Sequence, residues 1–171
     1  GTDTLAITVA ATAATSVGVS GFEELRVDGA ATQDMAVFTA NSTFTELDVN
    51  VAGLVTFSNV GALVDTVNNT ATGGSATITR LVDTATNALT VLAQDDLTTT
   101  DGITTFTAIT ANNEETVTMV SGSNVAEDLT ISTLTAADLT TLTLTGTADA
   151  VITAAIVGST ALATVNATGL T

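Results

Sequence analysis

Apolar residues recur along this chain in a short phrase. One is followed three positions later by a second and usually, two further on, by a third. Eight copies, one with Thr86 in place of the leading apolar residue, centre on Leu25, Leu47, Val67, Leu89, Phe106, Leu129, Leu142 and Val165, at intervals of 22, 20, 22, 17, 23, 13 and 23 residues. The position after each anchor is polar throughout, running from Arg26, Asp48 and Asn68 to Thr143 and Asn166. The position two after it is apolar in seven copies of eight, Asn69 being the exception. Alternation with period two is the mark of a strand with one dry face. A strand recurring near every twenty residues predicts coils that must stack, because no single coil buries its inner face alone.

The predicted fold is therefore all-β, a parallel β-helix or β-solenoid of about eight coils, with residues 1–171 forming a single domain. An antiparallel β-sandwich is the alternative, since alternating strands with turn signals about every 8–12 residues fit it too. Corners are expected at Asp28-Gly29, Asn68-Asn69, Gly73-Gly74, Asp95-Asp96, Asp101-Gly102, Asn112-Asn113 and Gly146, residues that tolerate tight backbone turns.

Composition strengthens the strand reading. Forty of 171 residues are Thr, and Val is abundant; β-branched side chains suit a pleated surface and are stiff in helices. The chain has no Cys, His, Lys, Pro, Tyr or Trp, and its basic residues are Arg26 and Arg80. A net charge of −16 argues against nucleic acid and anionic lipid as partners, which need clustered cations. No apolar run approaches the ~18 residues that span a bilayer, so membrane insertion is not expected. GTDTLAITV at the N-terminus lacks the basic region of a leader, and we read the chain as a fragment of a larger extracellular, cell-surface protein. Without His, Cys, Lys or Tyr, the usual bases and nucleophiles are missing, and an enzyme is not expected.

Acidic excess makes a divalent cation the attractive ligand, and calcium takes carboxylate, amide and carbonyl oxygens. Candidate ligands are Glu24 and Glu46, which precede adjacent anchors; Asp95, Asp96 and Asp101; and the run Asn112, Asn113, Glu114. Stacking places Glu24 and Glu46 about 5 Å apart across the ladder, a repulsion that a cation or Arg26 would relieve.

Two stretches carry a family resemblance. GTDTLAITV followed by GFEELRVDGAA, and the C-terminal LTTLTLTGTADAVITAAIVGSTALATVNATGLT, resemble the β-solenoid regions of bacterial RTX-type S-layer proteins exported by type I secretion. The resemblance implies a surface lattice, calcium-dependent assembly and a parallel β-helix. It also adds Asp3, in the Gly1-Thr2-Asp3 that closes a calcium repeat in that family, to the candidate ligands. No complete GGxGxDxUx nonapeptide is present, so calcium would draw on other carboxylates.

The expected function is that of a structural protein of an extracellular surface layer. It would assemble with copies of itself into a lattice or filament with calcium, and reach cell-surface polysaccharide only through regions outside this chain. One alternative is the spacer region of a type I-secreted adhesin. Another is an ice-binding solenoid, with Thr90, Thr107, Thr130 and Thr143 in one outward file and Thr105, Thr141 and Thr164 in its neighbour.

Overall fold

A computed structural model describes residues 1–71, 73–93, 103–122 and 128–171. Among them the strands are β1 (Thr4–Ile7), β2 (Glu24–Val27), β3 (Ala31–Asp34), β4 (Glu46–Val49), β5 (Leu54–Val60), β6 (Thr66–Asn69) and β7 (Gly74–Arg80). They continue with β8 (Ala88–Ala93), β9 (Ile103–Thr110), β10 (Thr116–Ser121), β11 (Asp128–Thr135), β12 (Thr141–Gly146), β13 (Ala150–Ile152) and β14 (Thr164–Leu170). One short 3-10 helix, Met35–Val37, is capped by the Asp34 carboxylate.

The chain is a parallel β-solenoid. A long sheet runs β1-β2-β4-β6-β8-β10-β12-β14 and a short one runs β13-β11-β9-β7-β5-β3. About six turns give a strand to each sheet, with β1 and β14 extending the long sheet by one strand at either end. The eight anchors thus overstate the coil count, for a reason the register makes plain.

Leu5, Leu25, Leu47 and Val67 stand on consecutive rungs of the long sheet. Val117, Leu142 and Val165 continue that sheet beyond Leu89. Phe106 and Leu129 belong to the short sheet, where Phe106 is beside Ile131 and Leu129 beside Thr104. The odd intervals of 17 and 13 residues are therefore half-turns, steps from one sheet to the other. The true long-sheet members passed over are Leu5 and Val117. A second slip occurs at β8, where Val67 pairs with Val91 rather than Leu89.

The inner faces of the two sheets bury Leu25, Leu47 and Leu89 from one side and Phe57, Ile78, Phe106 and Ile131 from the other. Each such side chain contributes roughly 1.5–3 kcal/mol. Asn68 and Asn69 lie within β6 rather than at a corner. Asn69 points inward and is buried, its Nδ2 donating to the Thr105 carbonyl at 2.9 Å and its Oδ1 accepting from the Ala71 amide at 3.1 Å. Glycine is needed opposite it: a Cβ at Gly74 would lie 2.9 Å from both Asn69 Oδ1 and Val49 Cγ1.

Corners that lead into the long-sheet strands stack on each other. Asn41 ties two of them, accepting from the Phe22 amide at 2.9 Å and donating to the Phe22 carbonyl at 3.0 Å. Phe38 and Phe44 meet edge to face, their ring centres 5.3 Å apart.

Candidate functional site: the acidic rungs of the long sheet

Period-two alternation turns Glu24 and Arg26 of β2, Glu46 and Asp48 of β4, and Thr66 and Asn68 of β6 away from the interior. Register places Glu24 beside Glu46 and Arg26 beside Asp48, on strands about 4.8 Å apart. The expected Glu24–Glu46 juxtaposition is present. With Thr4 and Thr70 these residues line an open polar depression of about 410 Å³.

Its members differ sharply in environment. Glu24 Oε2 accepts from Thr4 Oγ1 at 2.7 Å. The Glu46 carboxyl is held above its ordinary pKa, chiefly by partial burial and then by the charges of Glu24 and Asp65. Asp48 is only 2% exposed. Burial pushes its pKa to about 7, against the Thr70 hydrogen bond; Glu24 and Glu46 push it the same way, and Arg26 opposes them. Thr70 Oγ1 lies 3.0 and 3.2 Å from the two Asp48 oxygens. Arg26 does not bridge the glutamates: its Nε pairs with Asp28 Oδ1 at 3.0 Å, and the same oxygen accepts from Asn50 Nδ2 at 2.8 Å.

The remaining candidates are scattered. Asp3 holds the first rung through its backbone, its carbonyl accepting the Glu23 and Glu24 amides and its amide donating to Glu23 Oε2 at 2.8 Å. Asn112 and Asn113 occupy the corner between β9 and β10, where Asn112 Oδ1 accepts from the Ala137 amide at 3.3 Å. Glu114 is withdrawn from any cation outside. It is fully buried, and Arg80 Nε reaches its Oε1 at 2.6 Å while Nη2 reaches Oε2 at 3.1 Å. Asp95, Asp96 and Asp101 lie outside the described residues. Among the described residues, no group of three or more acidic side chains converges as a metal cage would require. The acidic rungs interact through their charges without closing on a common point.

Two residues outside the original candidate set turn out to matter, Asp48 and Arg80. Glu114 stands three before Val117, in the corner file that otherwise holds Phe22, Phe44, Val64, Thr86, Leu139 and Leu162. An acid in a mostly apolar file of a chain with two arginines is a signal of a buried pair, but it appears only once Val117 is recognised as a rung.

The threonine files also shift. Thr107 and Thr130 belong to the short sheet, whereas Thr66, Thr90, Thr118 and Thr143 form one file on the long sheet. On the short sheet, Thr32, Thr56, Thr77, Thr110 and Thr135 occupy five consecutive rungs.

No described helix is long and apolar enough to cross a membrane. Comparison with models of known protein families, with curated proteins and with solved structures finds no match.

Proposed function

We propose that this chain is a structural rod of an extracellular surface layer, similar in kind to the β-solenoids of RTX-type S-layer proteins, and that it assembles with copies of itself. The observation that carries this is the unbroken parallel ladder of eight strands in the long sheet. Each turn rests its inner face on its neighbours, so the turns act mechanically as one stiff body. A side-chain inventory without His, Cys, Lys or Tyr supports a mechanical role over a catalytic one. Copies carrying −16 each repel. Calcium bridging acidic rungs of neighbouring rods, Glu24 and Glu46 first among them, offsets that repulsion.

Electron microscopy with and without calcium tests the assignment. An ordered sheet or filament that dissolves in excess chelator is the expected result. An assembly that persists unchanged in chelator refutes the calcium role, and isolated rods with no lateral order under any condition favour the adhesin spacer instead.

The five-rung threonine file of the short sheet favours one second reading, an ice-binding face, since its hydroxyls and methyls repeat at the ladder spacing of about 4.8 Å. Thermal hysteresis checks it. Activity that Thr77→Lys abolishes supports the face, and a wild-type protein with no hysteresis dismisses it.

A further inference from the structure

Exposed aliphatic side chains cluster where two adjacent turns pass from the short sheet to the long one. Leu63, between β5 and β6, is 63% exposed; Leu81 and Val82, between β7 and β8, are 59% and 64% exposed. Leu63 and Leu81 wall a groove of about 450 Å³ whose other apolar lining includes Met35, Phe38 and Phe44. Leu81 also borders the adjoining depression of about 420 Å³, which carries Asp65. Asp65 is exposed, as is Asp83, which follows Val82. Asp34, just before Met35, has its carboxyl held below the ordinary range by hydrogen bonds from Asn59 and the Ala36 amide, so it stays ionised. An apolar slot therefore adjoins a depression that holds the Asp65 carboxylate, with Asp34 and Asp83 next in sequence to residues that line the two.

We propose that this corner docks a peptide segment of another protein, one that carries a large apolar side chain next to a Lys or Arg. The apolar side chain enters the Phe38–Phe44 groove past Leu81, and the cation meets Asp65 in the depression alongside. Charge selects this occupant over a second copy. The chain has no Lys, and Arg26 and Arg80 are engaged by Asp28 and Glu114. A copy would bring no unengaged side-chain cation to meet Asp65, and like charges facing each other across an interface are unfavourable. Asp65 stands near enough to the acidic rungs to act on Glu46 through its charge, but the apolar groove shares no lining residue with the depression of those rungs, and the docking does not depend on the surface-layer assignment.

The test titrates the whole chain calorimetrically, at about 0.15 M salt to screen diffuse attraction, with a synthetic peptide of alternating Leu and Lys. Peptides of alternating Ser and Lys and of alternating Leu and Glu serve as comparisons. Leu81→Ser and Asp65→Asn each weaken Leu/Lys binding about tenfold, and Ser/Lys binds about tenfold more weakly than Leu/Lys. Leu54→Ser, at a 54% exposed position on β5, leaves binding unchanged. All three substitutions are at exposed positions, and circular dichroism confirms the fold. Equal binding by every variant, or equal binding of the Leu/Glu peptide, overturns the proposal. A wild-type dimer in sedimentation that Leu81→Ser abolishes overturns it too, by showing that a copy covers the corner.

Discussion

Arg80→Met is expected to destabilise the protein by about 3–5 kcal/mol, the usual cost of stranding one member of a buried ion pair. The pair is well shielded, with side-chain exposures of 4% for Arg80 and 1% for Glu114. It is also a forked contact, two guanidinium nitrogens meeting two carboxylate oxygens, the geometry that arginine holds and lysine does not. The same guanidinium donates to the carbonyls of Gly61, Val64 and Ala88, so it fastens consecutive corners together. Burial holds the Glu114 carboxyl above its ordinary pKa even with Arg80 beside it, and Glu115 and Asp83 push it the same way. Without the cation that carboxylate is left uncompensated. Urea denaturation of Arg80→Met should show a lower midpoint, with a deficit that shrinks on acidification as Glu114 takes up a proton. Arg80→Met combined with Glu114→Leu should regain much of the loss, short of full recovery because three carbonyls still lose their donor. Equal midpoints for wild type and Arg80→Met would contradict the role given to the pair.

Legibility in the sequence followed the physics of a two-sheet coil. The first long-sheet rungs, Leu25, Leu47 and Val67, were readable because the intervals between them are nearly equal and each strand carries the same inward pair. Phe106 and Leu129 were misplaced because both sheets present the same period-two alternation to a common interior, so the phrase marks an inward strand without naming its sheet. The shift at β8 was hidden for a related reason. Leu89 and Val91 both point inward, and either could have stood beside Val67. At the candidate site, the outward sides of Glu24, Glu46 and Asp48 followed from parity alone. The near-complete burial of Asp48 did not follow, because an outward residue's exposure depends on side chains from neighbouring turns such as Thr70. The burial of Glu114 was hidden because adjacency in sequence to Asn112 and Asn113 suggested an exposed corner, whereas its place in that corner turns it inward to Arg80.

Asp48 makes the protein more stable in mild acid than at neutral pH. Its folded pKa, about 7, stands above the ordinary 3.8, so between those values the folded state binds the proton that the unfolded state has released. Stability therefore falls as pH rises through this window. At about 1.4 kcal/mol per unit the full swing is on the order of 4 kcal/mol. Glu46 shifts in the same direction and adds to the slope. Asp34, whose pKa is lowered, acts oppositely: its contribution is present above the ordinary carboxylate range and is lost as pH falls through its own depressed pKa, below the Asp48 window. Chemical denaturation measured from pH 4 to about pH 8 should show a declining midpoint. Asp48→Asn should flatten most of that decline and raise the midpoint at pH 7, since the neutral amide is spared the burial of a charge beside Glu24 and Glu46. Thr70→Val should move the midpoint the other way at neutral pH, by removing the hydroxyl donor to the Asp48 carboxylate, with little effect at pH 4. A wild-type midpoint that is flat, or that rises toward neutrality, would mean that the Asp48 carboxylate is solvated and that the outer face of β4 is open to water.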